Sequence, residues 1–271
     1  KPQFNMKKIL VPTDFSPLAN KALDVAVEIA RRQNATVEVL NVNVFPTADV
    51  GTYYAMYGAK ANIDDAWKEI MDDAKKNVNE VTAKYEGVAI KPLVEESNEH
   101  FVDAVLNHDS DLIVMGSHGA DGLKELFEGS NSEEVIRMAT CPVLIIKDEN
   151  KDFAPKKVVF AVDLTKHEEF IAKAFNVLPL QDAICHFVYV DTDMKAINYA
   201  ETKDEMKALA TKMGIKDAVC DVYEANTVLE GILEYLEEVK ADMLVMYTHG
   251  RTGIKHFFWG SIAEDVMNHS K

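Results

Sequence analysis

Residues 111–140 read DLIVMGSHGADGLKELFEGSNSEEVIRMAT, and residues 242–271 read DMLVMYTHGRTGIKHFFWGSIAEDVMNHSK. Laid over one another without gaps, they share 12 identities in 30 positions at an offset of 131. The unit starts correspond as well. Ile9-Leu10-Val11-Pro12-Thr13-Asp14 matches Val158-Val159-Phe160-Ala161-Val162-Asp163 at an offset of 149. The first copy is therefore longer by 18 residues, and the excess falls near residues 45–63. Two copies of about 120–150 residues indicate a duplicated domain rather than a solenoid of short repeats.

Each copy alternates apolar runs with amphipathic stretches. In the first, strands are expected at Lys8–Thr13, Thr36–Val44, Val88–Val94, Leu112–Met115 and Pro142–Ile146. Ser16-Pro17 opens a helix, with Ser as N-cap and Pro at the first helical position. Its apolar stripe is Leu18, Ala22, Val25, Ala26 and Ile29. Further helices are expected over Ile63–Tyr85, Glu99–His108 and Ser132–Met138. The second copy repeats the order, with strands near 157–162, 183–190, 217–223 and 243–247 and helices near 166–177, 194–213, 227–239 and 261–269. Such alternation implies an α/β fold: two tandem open parallel sheets with helices on both faces. Lys147–Pro155 is charged, aperiodic and contains a proline, and reads as a linker between domains at 6–147 and 156–271. At the point where the first copy enters Cys141–Ile146, the second reaches Lys271. Either the sequence stops short of a fifth strand there, or the second sheet has four.

Composition narrows the function classes. Of 271 residues 48% are apolar, enough for sizeable cores. The formal net charge is −16 and no run of cations exceeds two residues, so no basic stripe for nucleic acid is visible. An acidic protein still holds a single nucleotide if main-chain N–H groups carry the phosphates. No apolar run approaches the ~20 residues needed to cross a bilayer, and the first residues lack the apolar core of a signal peptide. Three cysteines, Cys141, Cys185 and Cys220, with no CxxC, fit a reducing cytoplasm and read as small buried hydrophobes.

Chemistry concentrates after the fourth strand. Gly116-Ser-His-Gly119 is followed by nine residues and then Gly129-Ser130. Glycines let a backbone approach a ligand without Cβ clashes. Gly129-Ser130 opens a helix whose free N–H groups and dipole favour an anion, and the Ser130 hydroxyl can donate to a phosphate. The same residues have a second reading. Ser130-Asn-Ser-Glu133 and Ser261-Ile-Ala-Glu264 both match the S-x-x-E capping box, and the glycines suit ordinary turns.

Ile-Leu-Val-Pro-Thr-Asp-Phe-Ser at 9–16, with the GSHG…GS run, resembles the universal stress protein family. So does Thr248–His256 with Gly260–Glu264, and the resemblance covers nearly the whole chain. It implies an adenine nucleotide alpha hydrolase-like sheet of order 3-2-1-4-5. In that order strands 1 and 4 flank the switch point at which open α/β sheets bind ligands. It also implies ATP or AMP as ligand. Asp14 would accept from the adenine amino group, with Pro12 and Thr13 beside it. The Val42 main chain would contact the adenine edge, and Met115 and Gly116 would lie along the adenosine. Gly119, Gly129, Ser130 and Asn131 would hold the phosphates, on which Mg²⁺ would ride. The family's pairing through the fifth strand would make either an intramolecular domain pair or a homodimer. In the second copy Tyr247 stands where Gly116 does, filling the ribose space. That copy is expected to bind weakly or not at all.

His118 and His249 lie in the glycine loops with no partner nucleophile in the pattern, and read as loop hydrogen-bonders. His186 reads as a satisfied sheet residue. Phe45–Ala61, with Tyr53, Tyr54, Met56 and Tyr57, reads equally as a flap, an interface or a packed loop. Three functions stay open: a nucleotide-dependent sensor, a slow ATPase or autophosphorylating enzyme, and a ligand-free scaffold. No Walker lysine or kinase catalytic loop supports the second.

Overall fold

The computed structural model describes residues 6–44, 63–98, 100–117, 131–149, 152–164, 182–192 and 197–246, with Phe175, Leu178 and Leu180. They form two compact units that divide between Lys151 and Asp152. The helix expected near 166–177, apart from Phe175, the helix near 261–269 and the insertion Phe45–Ala61 lie outside the described residues.

The first unit runs β1 (Lys8–Pro12), α1 (Pro17–Gln33), β2 (Thr36–Val44), α2 (Ile63–Thr82), β3 (Ala89–Ser97), α3 (Phe101–Leu106), β4 (Leu112–Gly116), α4 (Asn131–Met138) and β5 (Val143–Ile146). The five strands are parallel in the order β3-β2-β1-β4-β5, as expected. Strands covered on both faces carry unbroken apolar runs. Ile9, Leu10 and Val11 of β1 and Leu112, Ile113 and Val114 of β4 are accordingly all buried. One face packs Leu10, Leu40, Ile113 and Met115 against Val102 and Val105 of α3 and Val135 of α4. α1 packs on β1 and β4 with Ala22, Val25, Ala26 and Ile29 buried.

α1 starts as its sequence dictates. Ser16 is in extended backbone, its Oγ accepts from Ala19 N at 3.2 Å, and Pro17 fills the first helical position. β3 runs three residues beyond the expected Val94, through Glu95, Glu96 and Ser97. It is an edge strand, so polar side chains face water while its backbone pairs with β2 as far as Val44↔Ser97.

The second unit runs β6 (Lys157–Ala161), β7 (Ile184–Asp191), α5 (Tyr199–Met213), β8 (Val219–Glu224), α6 (Val228–Val239) and β9 (Met243–Met246). Its described strands are parallel in the order β8-β7-β6-β9, which is the first unit's 3-2-1-4 again. The duplication reaches single bonds. Asp111 Oδ2 accepts from Lys7 N and Lys8 N at 2.8 and 3.1 Å, and Asp242 Oδ2 accepts from Lys156 N and Lys157 N, both at 2.9 Å. The aspartate just before each unit's fourth strand therefore pins the start of its first strand. Cys185 and Cys220 are buried, and burial pushes both thiols up. Cys141, expected to be buried, is only half covered and lies 3.6 Å from Ser110 Oγ.

His186 is satisfied, as read. Its Nδ1 lies 3.1 Å from the Tyr235 hydroxyl, which donates to Asp221 Oδ2 at 2.7 Å, while Lys203 Nζ reaches Asp221 Oδ1 at 3.2 Å. With the phenol proton committed to Asp221, the His186 Nδ1 is the donor. Burial pushes the imidazole below its ordinary value; Asp221 opposes this and Lys157 adds to it. The unfolded chain therefore takes up this proton first as pH falls. The contribution of neutral His186 is full above about pH 6.5 and is lost as pH falls through that value. In urea unfolding of the second unit from pH 8 to 5, wild type is expected to lose more stability than His186→Asn. Parallel profiles would count against this linkage.

Candidate functional site

Asp14 and Gly116 stand at the carboxyl ends of neighbouring strands. β1 ends at Pro12, Thr13 and Asp14 follow, and Gly116 is the last residue of β4. β1 leads across to β2 on one side and β4 to β5 on the other, so the switch point lies between them.

The floor of this crevice is held by main chain. Thr13 N donates to Leu40 O at 2.8 Å, the last bond from β1 to β2. Main-chain groups along a strand point alternately to its two sides. The Leu40 carbonyl points toward β1, so the Val42 N–H and C=O, two residues on, point the same way. By then β1 has ended, and they point past it into the crevice. The Val42 side chain packs away, against the cluster around Leu40 and Met115.

The turn after β1 is strained and pinned. Phe15 has φ 65°, a left-handed conformation that a large side chain rarely takes. Two side-chain bonds hold it: Phe15 N donates to Thr13 Oγ1 and Ser16 N donates to Asp14 Oδ1, both at 3.0 Å. Asn20 Nδ2 closes the turn on Phe15 O at 3.2 Å. Asp14 remains exposed at the mouth while Thr13 is buried. The second unit repeats the left-handed turn and its main-chain bond. Leu164 has φ 58° after Asp163, and Val162 N donates to Val188 O at 3.0 Å. Neither Phe15 nor Leu164 is a residue type that signals such a turn, so one sequence gives no cue to it.

On the other side, Met115 is buried and Gly116, half-buried, pairs with Ile146 of β5. Asn131 is exposed as the first residue of α4. Buried Ser132 donates from Oγ to Ser117 O at 2.7 Å, and Glu133 is buried behind it. Pro12, Thr13, Asp14, Val42, Met115 and Gly116 thus gather at one end of the sheet. Gly119, Gly129 and Ser130 lie outside the described residues, as do His118 and, in the second unit, Tyr247, His249, Gly250, Gly260 and Ser261. Sequence reading missed Asn41 and Ser132. The only signal for Asn41 was a polar residue inside a largely apolar run, and Ser132, set among polar neighbours, gave none.

In the second unit the corresponding end of the sheet is acidic. Tyr199 donates to Glu224 and lies 3.3 Å from Asp191, residues that face each other at the ends of β8 and β7. These carboxylates and burial push the phenol up.

The sequence model of the universal stress protein family matches residues 5–147 and again 155–271. The chain belongs to the universal stress protein family. Universal stress protein YxiE of Bacillus subtilis is 32% identical over 145 residues, which are 52% of this chain and 98% of that protein. Universal stress protein MJ0531 of Methanocaldococcus jannaschii is 34% identical over 151 residues, 54% of this chain and 85% of its own. Each of these relatives thus spans about one of the two units. A crystal structure of a universal stress protein from Archaeoglobus fulgidus covers 98% of this chain and 96% of that one, at TM-score 0.67 and 21% identity. That likeness extends the shared fold over both units. No helix among the described residues is long and apolar enough to cross a membrane.

Proposed function

We propose that the first unit binds ATP or AMP at the switch point between β1 and β4, and that the chain acts as a nucleotide-dependent sensor in a stress response. The observation that carries the reading is the Val42 main chain. Its N–H and C=O point past the end of β1 beside Asp14, offering a donor and an acceptor to the edge of a planar base. Asp14 supplies a carboxylate to an exocyclic amine. Gly116 and the start of α4 line the path along which ribose and phosphates would extend toward Gly119, Gly129, Ser130 and Asn131. No cluster of three or more His, Cys, Asp or Glu suited to a metal occurs among the described residues. Mg²⁺, where present, is held by the phosphates rather than by a protein cage. The second unit, with Tyr247 for Gly116 and with Asp163, Asp191 and Glu224 near its mouth, binds weakly or not at all.

Calorimetric titration of nucleotide-stripped protein with ATP–Mg²⁺ tests this. The expected stoichiometry is near one per chain. A value near two would show that the second unit binds as well. No heat with either ATP or AMP would end the nucleotide reading.

A further inference from the structure

We propose that Asn41 and Ser132 are positioning residues for nucleotide binding, each fastening one wall of the first unit's crevice through a main-chain carbonyl. The proposal rests on reading that crevice as an adenine-nucleotide site.

Asn41 is 8% exposed and donates from Nδ2 to Thr13 O at 2.8 Å. Its amide cannot be reversed, because Oδ1 accepts from Asn43 Nδ2 at 2.8 Å and a carbonyl oxygen can only accept. The bond acts on the peptide that joins Thr13 to Asp14. Thr13 is then gripped twice by β2, through its N–H on Leu40 O and its carbonyl on Asn41. The Asp14 carboxylate and the Val42 main chain sit on two different strands. This double grip sets the distance between them.

Ser132 is 3% exposed, and its hydroxyl donates to Ser117 O at 2.7 Å. Ser117 follows Gly116 and donates its own N–H to Ile146 O at 3.0 Å, so it is already tied to the sheet. The Ser132 bond therefore fixes the first turn of α4 against the carboxyl end of β4. A helix N-terminus favours an anion only within its first turn, so its height above the sheet decides how well it meets a phosphate.

The Asn41 bond is not required to build the sheet. The pairs Pro12↔Leu40 and Ala161↔Val188 place Tyr189 at Asn41's position and Val162 at Thr13's. The second unit makes the same β6–β7 pairing with no amide there. Ala263 aligns with Ser132 at the offset of 131, so that clamp has no hydroxyl in the second copy. Both clamps thus occur in the copy whose glycine motif is complete, and both are missing from the copy that carries Tyr247.

The two clamps serve different parts of the ligand, and this separates positioning from general loosening. Affinities of wild type, Asn41→Ala, Ser132→Ala and Ser132→Thr for adenosine, AMP and ATP–Mg²⁺ are to be measured calorimetrically, with unfolding temperatures of the ligand-free proteins. Asn41→Ala is expected to weaken all three ligands by a common factor of about tenfold, the scale of one buried hydrogen bond. Ser132→Ala is expected to weaken ATP by about tenfold and leave adenosine within about twofold. Ser132→Thr, which keeps the hydroxyl, is expected to regain most of the ATP affinity. Variants that bind all three ligands like wild type would overturn the positioning roles while leaving the nucleotide site standing. A uniform loss in Ser132→Ala that tracks a lower unfolding temperature would overturn them as well. A wild type that binds none of the three would overturn the nucleotide reading itself, and the clamps with it.

Discussion

Phe160→Ala is expected to cost the second unit about 3–5 kcal/mol, the range for removing a fully buried aromatic side chain from a packed core. Phe160 is fully buried in β6, which has a strand on each side. Its ring stacks on Phe187 of β7 at 4.9 Å with 13° between planes, and Phe175 lies 6.3 Å away at 54°. In the first unit the same two sheet positions are Val11 and Val39, both buried. The second unit thus places a stacked aromatic pair where the first has two buried valines. Truncation removes the area term and the stacking term together, the latter about 0.5–1.5 kcal/mol. Leucine, which refills most of the space, should cost about 1.5 kcal/mol or less. Hydrogen exchange read peptide by peptide is the measurement, because a chain of two units need not unfold in one step. Peptides from β6, β7 and β8 should exchange at least roughly a hundredfold faster in Phe160→Ala. Unchanged protection there would mean that the ring is not part of the second core.

Much of the fold was open to reading because its signals are local. Ser16-Pro17 marks the start of α1 by a cap and a fixed φ, and the DLIVM run marks β4 by having no polar face. The sheet order came from the family resemblance, and the strand pairs agree with it. The strand and helix ends that shifted did so where tertiary pairing overrides composition, as in Glu95–Ser97, which extend β3 because β2 offers them partners. Sequence reading proposed candidate positions where the chemistry would sit in the side chain or in a glycine, as at Asp14 and Gly116, and the fold sets these two at neighbouring strand ends. It was illegible where a residue acts through distant main chain. Asn41 reaches a carbonyl 28 positions back and Ser132 one 15 positions back, and no spacing rule connects those pairs. The turn at Phe15 was hidden for a related reason. Its left-handed backbone is set by Thr13 and Asp14 rather than by the residue that adopts it.

Gly116→Tyr is expected to weaken ATP and AMP binding by at least roughly a hundredfold, about 2.7 kcal/mol, without unfolding the first unit. The change is mild for the backbone. Among the described residues the glycines with positive φ are Gly87 and Gly214, so Gly116 holds a conformation any residue can take. Tyrosine suits a strand, and the second copy carries Tyr247 at this position. The effect therefore falls on the crevice. A tyrosine side chain brings some 150–250 Å² of surface to the point where β4 faces Asp14 across the switch point. That volume competes with the adenosine rather than with the core, since Gly116 is the last residue of its strand and only half-buried. Titration calorimetry gives the affinity, and the unfolding temperature of the ligand-free protein gives the control. Wild-type affinity in Gly116→Tyr would place the nucleotide elsewhere on the molecule. The reverse change, Tyr247→Gly, is not expected to create a second site, because Tyr189 and Ala263 leave that copy without either clamp. A stoichiometry that rises to two in Tyr247→Gly would show that one side chain alone had closed the second unit.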